Sequence, residues 1–397
     1  MTGGDSQRRV GTPGAGAPGV EAGPRVVIAH DYLTQRGGAE RVVLTMLKAF
    51  PGATVYTTLY NPERTFPEFK NERVVASPLN RLRFFREHHR VALPFLAPVS
   101  SRFEVDADLI LVSSSGWAHG FAGDAPRLVF CHNPARWLYQ TRHYLGQPAY
   151  KSMIGLATVA MRGRLRRWDK AAAARADRYL ANSRVVRERI RRAYGIDAAL
   201  LHPPHSVDVT AWRRPVPELE EWADERGFDL LVSRLLPYKN VDKAIEGYRG
   251  SAERLVIVGH GPSYDQLAAS LPSNVRMISG IEDDQLRWLY AECTLLIAPS
   301  IEDYGLTPLE AAAFGKPTIA LRAGGYLDTI DEGVSGAYFD LLSPTEIAAT
   351  LRLAHARDWD REAILAHAEK FSEGPFIAAL RREVAELWER TQAARGT

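Results

Sequence analysis

Cysteine is almost absent from this sequence: Cys131 and Cys293 are the only two in 397 residues. They lie in separate apolar segments, which excludes a disulfide framework and fits a reducing cytoplasm. Long apolar runs are missing as well. The longest, around Ile154 to Met161, falls far short of the ~18 residues that a membrane-spanning helix needs. The stretch before residue 25 has no apolar signal core. Residues 1–24 are Gly, Ala, Pro and Thr with few large apolar groups, and they read as a disordered leader.

The net charge is only +3, but it is unevenly spread. Residues 1–212 hold 30 Lys and Arg against 17 Asp and Glu, whereas residues 213–397 hold 20 against 30. A basic first half suits an anionic partner such as a phosphorylated substrate, a lipid headgroup or nucleic acid. No recognisable nucleic-acid-binding motif accompanies it, so nucleic acid is set aside. The length exceeds one ordinary core, and two domains are expected.

Short apolar strands alternate with helical patterns throughout, as in a doubly wound parallel sheet. The first series is at 25–30, 54–59, 106–115 (a turn feeding a strand), 128–131 and 178–181. A Pro-, Glu- and Trp-rich stretch from His202 to Trp222 reads as a linker. The second series is at 229–232, 254–258, 275–280, 294–298, 316–321 and 336–340. A final helix carries Phe376, Leu380, Val384 and Leu387 on one stripe, able to pack back across the domain boundary.

Candidate chemistry concentrates between Ala298 and Gly325. Thr307 is a suitable N-cap, Pro308 suits the first helical position, and the free amides from about Gly305 to Leu309 form an anion site. A nucleotide diphosphate could sit there, with Glu310 on ribose hydroxyls and Glu302 facing a sugar. Thr307 and Glu310 also have the spacing of a capping box, which needs no ligand, and both readings stand. Arg234 and Lys239 follow a strand exit, where they are either exposed surface charges or a diphosphate clamp. Gly37 and Gly38 open a helix after the first strand and allow close backbone approach to a phosphate, or are simply a turn. Gly259 and Gly261 form a tight turn fit for approach to a nucleotide. His132 follows a strand, where open α/β sheets hold ligands, and His119 is the second choice; a structural role is open for both. Asp106 and Asp108 match an Asp-x-Asp metal pair, but turn chemistry explains them and no metal site is assigned. Residues 79–96 interleave Arg81, Arg83, Arg86 and Arg90 with Phe84, Phe85 and Phe95. They read as an amphipathic helix, either a solvated surface helix or one meeting anionic lipid.

Taken together, HDYLTQRGGAERVV, SSSGWAHG, CHNPARWLY, ANSRVVRERIRRAYG, SRLLPYKNVDKAI, VIVGHGP and EDYGLTPLEAAAFGKPTIALRAGG resemble the retaining glycosyltransferases of the GT-B fold. The family is the fourth of the nucleotide-sugar transferases, and the branch is that of bacterial polysaccharide mannosyltransferases. The resemblance implies two Rossmann-like domains facing across a cleft. Residues 25–210 would bind the acceptor, residues 211–370 the nucleotide sugar, and the helix in 371–397 would return to the N-terminal domain. It implies that Arg234 and Lys239 neutralise the donor diphosphate, that Glu302 lies near the donor sugar and that Glu310 holds the ribose. Backbone amides of Gly305, Leu306 and Thr307 would hold phosphate and sugar, Gly37 and Gly38 would approach from the other domain, and His132 would lie near the transferred sugar. Asp303 and Tyr304 replace the usual Gly-Phe in this donor loop, and Lys is frequent at the position of His119.

The expected activity is therefore metal-independent, retaining hexosyl transfer, with mannose from GDP-mannose favoured by the branch. The acceptor would be a lipid-linked or other glycan, and the donor a substrate rather than a cofactor. The expected location is cytoplasmic, with peripheral membrane contact through residues 79–96. A nucleotide-sugar 2-epimerase of the same architecture is the alternative, and a non-catalytic nucleotide-sugar-binding module is a third reading.

Overall fold

The computed structural model describes residues 23–88, 92–140, 153–222, 224 and 226–395. The expected leader, residues 1–24, lies outside them apart from Gly23 and Pro24. Two wholly parallel sheets organise the chain. The first contains Val26–His30 (β1), Val55–Thr57 (β2), Val74–Ala76 (β3), Leu109–Ser114 (β4), Arg127–Cys131 (β5), Arg178–Ala181 (β6) and Ala199–Leu200 (β7), in the order β3-β2-β1-β4-β5-β6-β7. The second contains Asp229–Val232 (β8), Leu255–Val258 (β9), Val275–Ile278 (β10), Leu296–Ala298 (β11), Thr318–Leu321 (β12) and Gly336–Phe339 (β13), in the order β10-β9-β8-β11-β12-β13.

Each sheet reverses its winding once, between β1 and β4 and between β8 and β11. Loops leaving strands at such a switch point splay apart and open a crevice. The strands between them are apolar on both faces because both faces are covered. Val27 and Ala29 enter one core layer while Val26 and Ile28 enter the opposite one.

Five helices position the site and tie the two sheets together: Gly38–Ala49 (α1), Arg184–Tyr194 (α2), Val241–Tyr248 (α3), Leu306–Ala313 (α4) and Glu373–Arg395 (α5). The ends of α2 follow local rules. The Ser183 hydroxyl accepts from the Val186 amide at the start, and Gly195 takes φ 76° at the end. As its stripe implies, α5 crosses back. Phe376, Leu380, Val384 and Leu387 are buried with Val42 and Met46 in the core of the first sheet. Each such side chain is worth about 1.5–3 kcal/mol of burial. Ion pairs Lys48–Glu373 (2.6 Å) and Arg178–Glu383 (2.8 Å) flank it.

Two expectations change. The single helix over 79–96 is not formed. Pro78–Arg81 is a 3-10 turn, Leu82 is extended, Arg83–Glu87 is a short helix and Leu93–Ser100 is another; residues 89–91, including Arg90, lie outside the described residues. Edge strands β3 and β7 are additions, three and two residues long. The expected linker borders the C-terminal crossover, where the His205 amide donates to the Phe371 carbonyl (3.0 Å).

Candidate active site

A cleft of about 370 Å³ opens where the two switch points face each other. Its first wall carries Gly38, Ser115, His132 and Arg136, and its second carries Ser233, Arg234, Lys239 and residues 298–307 except Ile301. Gly38 is the first residue of α1 and Leu306 the first of α4. A Cβ on Gly38 would stand 3.2 Å from the Leu306 side chain, so the two helix N-termini nearly touch. Both present free amides and the positive ends of their dipoles to the cleft.

Lys239 is held by two devices. Asn240, the only non-glycine with positive φ among the described residues (56°), turns the chain into α3 and donates its amide to the Pro299 carbonyl (3.1 Å). The Lys239 ammonium, 8% exposed, pairs with Glu302. Glu302 also accepts from the Ser300 hydroxyl (2.7 Å), which lies 3.0 Å from the Tyr326 hydroxyl. Arg234 is exposed and donates to the Tyr238 hydroxyl (3.3 Å); no carboxylate pairs with it among the described residues. One cation is thus neutralised and the other is not.

The start of α4 differs from expectation. Gly305 caps it at φ 92°, without a side-chain cap bond, and Thr307 is the second helical residue. The capping box of Thr307 and Glu310 is therefore absent. Glu310 instead accepts from the Tyr290 hydroxyl (2.7 Å), and burial pushes its carboxyl up despite that bond. Glu310 lies a turn beyond the residues lining the cleft. Gly305 itself is forced small, since a Cβ would be 2.6 Å from the Tyr326 ring.

His132 lines the first wall with its Nε2 2.8 Å from the Ser113 hydroxyl, which also lies 3.1 Å from His30 Nδ1. Burial, with His30 and Arg136 nearby, pushes the His132 imidazole down to about 3. It is a neutral hydrogen-bonding group at physiological pH. His119 is elsewhere: its Nε2 is 3.0 Å from Asp169, both almost wholly buried, and its ring stacks on Trp168.

Several expected residues serve the chain itself. Gly259 and Gly261 do not line the cleft. A Cβ on Gly259 would meet the Ser233 carbonyl at 2.0 Å and one on Gly261 the Leu235 carbonyl at 2.4 Å, so they let the Arg234 loop lie close. Gly37 abuts the Glu40 carboxylate, 2.5 Å from where its Cβ would be, and is likewise off the lining. Asp106 is paired with Arg25, and Asp108 accepts the Arg25 amide (2.8 Å). Asp303 and Tyr304 do line the cleft. Tyr304 is buried and stacks on His202 (5.7 Å between centroids). The Asp303 carboxylate is bonded to Arg136 and Arg189 of the first lobe. Arg136 escaped the sequence reading, although it stands four residues after His132 at the same strand exit, where ligand-facing groups collect.

Two family models match consecutive parts of the chain: Glycosyltransferase Family 4 over residues 36–211 and Glycosyl transferases group 1 over residues 217–371. The chain belongs to the family-4 glycosyltransferases of GT-B fold. Among curated relatives, it is 29% identical over 64% of its length to a GDP-mannose-dependent alpha-mannosyltransferase of Corynebacterium glutamicum, spanning 60% of that protein. It is 28% identical over 79% of its length to a GDP-mannose-dependent phosphatidylinositol monomannoside mannosyltransferase of Mycolicibacterium smegmatis, spanning 85% of it. Among solved structures, Anabaena HepE in complex with UDP and glucose superimposes with a TM-score of 0.66 at 17% identity, covering 91% of this chain and all of that one. The relatives named are transferases, and the epimerase alternative is not favoured. No helix among the described residues is long and apolar enough to cross a membrane.

Proposed function

We propose that the protein transfers a hexose from a nucleotide-diphospho-sugar to a glycan or lipid-linked acceptor, with retention of configuration. The observation that carries this is the meeting of Arg234, Lys239 and the first-turn amides of α4 at one cleft. Breaking the sugar–phosphate bond places growing negative charge on the departing diphosphate. Fixed donors aimed at that charge accelerate the step most, because they need not reorganise as it develops. In this reading cations and peptide groups, not a metal ion, take the charge. Glu302, held by Lys239 and Ser300, orients the sugar and is not a covalent nucleophile. Neutral His132 offers a hydrogen bond from the opposite wall. The oxocarbenium-like sugar is met by the acceptor hydroxyl on the face the diphosphate leaves, so configuration is retained. Glu310 is assigned to the ribose.

GDP-mannose is the proposed donor, supported by the names of the Corynebacterium and Mycolicibacterium relatives. An anionic, lipid-linked acceptor suits the basic first half. Leu82, Phe84 and Phe95 are 51–57% exposed beside Arg81 and Arg83, which supports peripheral contact with anionic lipid on the cytoplasmic face.

A thermal-shift panel of GDP, UDP and ADP sugars tests the donor. Saturation at 100 Kd corresponds to about 2.7 kcal/mol of stabilisation. Product analysis then tests the reaction: a new glycoside on an acceptor supports transfer, and an altered nucleotide sugar formed without any acceptor overturns it.

A further inference from the structure

We propose that Asp303 is a positioning residue that latches the two lobes across the cleft and thereby seats the donor loop. Its carboxylate is held from the first lobe at both oxygens. Arg189 of α2 donates to Oδ1 (2.5 Å), and Arg136, beyond β5, donates to Oδ2. The Asp303 carbonyl accepts from the hydroxyl of Ser183, the N-cap of α2. At the same helix end Arg184 pairs with Asp328 (2.6 Å) and donates to the Leu327 carbonyl. The first lobe therefore grips the second at two loops, those following β11 and β12.

These two loops are packed together with no slack. The Gly325 amide donates to the Glu302 carbonyl (2.9 Å), and a Cβ on Gly325 would stand 2.2 Å from the Tyr304 Cα. A pull at Asp303 or Asp328 consequently reaches Gly305 and the amides of α4, two residues from Asp303. Charge-assisted contacts are the strong class of hydrogen bond, and the Asp303 side chain is only 14% exposed. Two guanidinium groups against one carboxylate leave a net positive charge, and Arg136 lines the cleft. The latch thus closes the lobes without cancelling the cleft's attraction for an anion.

The latch deepens the glycosyl-transfer reading and rests on it for its kinetic arm alone. Arg189→Gln, Asp303→Asn and the double variant are compared with the unaltered protein, with thermal melts confirming that each is folded. Small-angle scattering without ligand reports lobe separation, calorimetry reports GDP affinity, and initial rates report kcat/KM for the donor. Each variant should show a larger radius of gyration and a kcat/KM lower by about tenfold, within the usual range of coupling between sites. The GDP dissociation constant should rise to a similar extent in both single variants, because the loop that carries the α4 amides is less firmly seated in each. The double variant should be no worse than Asp303→Asn alone, since that change already weakens the bond that Arg189→Gln breaks. A radius unchanged in both single variants overturns the latch. So does weakened GDP binding in Asp303→Asn with Arg189→Gln silent, which would make Asp303 a ligand contact. Should no nucleotide sugar bind, the proposed function fails while the scattering result still decides the latch.

Discussion

Glu302 and Asp303 are consecutive, and their carboxylates hold cations from opposite lobes: Glu302 receives Lys239 of its own lobe, and Asp303 receives Arg136 and Arg189 of the other. One dipeptide at the exit of β11 therefore fixes both the clamp within the second lobe and the bridge to the first. The backbone that follows it immediately supplies the amides of α4.

Arg234→Ala should lower turnover by ~10²-fold or more with the fold unchanged, because the side chain is exposed. Lys239→Ala should lose as much activity and also stability, since it strands a half-buried Glu302. Adding Glu302→Gln to Lys239→Ala should restore the urea midpoint but not the rate. Near-normal turnover in both alanine variants would count against the clamp.

Thr307→Ala distinguishes the two readings of the start of α4. A capping threonine costs about 1 kcal/mol when removed. With Gly305 as the cap, the loss should stay within about 0.5 kcal/mol. Tyr290→Phe should cost more, about 1–3 kcal/mol, because it leaves the Glu310 carboxyl without its donor. Urea denaturation of both variants gives the comparison.

Stability should depend on pH through two opposed groups. Burial pushes Glu40 up to about 7 from 4.5, so its contribution is present below 4.5 and lost as pH rises through 7. The shift corresponds to about 3 kcal/mol. His132, down to about 3 from 6.5, contributes stability above 6.5 that is lost as pH falls toward 3. Between pH 4.5 and 6.5 the slopes oppose. Melting temperatures of Glu40→Gln should therefore rise with pH across that window more steeply than those of the unaltered protein.

Leu380→Ala should destabilise by about 2–5 kcal/mol although Leu380 is far in sequence from the sheet it covers, because its side chain is fully buried in that core. A change below 0.5 kcal/mol in a denaturant titration would mean that α5 is not part of the first lobe's core.

The architecture was largely legible because buried parallel strands are short, mostly apolar runs bounded by turn residues. RYLA at 178–181 and DLLV at 229–232 coincide with β6 and β8 end for end. Edge strands β3 and β7 were not, since two or three residues leave no periodicity to read. The stripe on α5 was readable because Phe376, Leu380, Val384 and Leu387 follow the helical repeat. Local rules mislead at Thr307: the spacing of a capping box is present, but Gly305, free to take φ 92°, caps the helix and starts it at Leu306, two residues before the Pro308 start that a Thr307 cap implies. Arg136 and Arg189 could not be assigned from sequence, because their partner Asp303 is 167 and 114 positions away. His119 looked like a ligand at a strand exit and proved to be paired with Asp169 inside the core.

A crystal structure with a bound nucleotide-diphospho-sugar tests the central claim most directly. The account predicts diphosphate oxygens within hydrogen-bonding distance of Arg234, Lys239 and the amides of Gly305 to Thr307. A diphosphate seated away from Arg234 and Lys239, or outside this cleft, would contradict it.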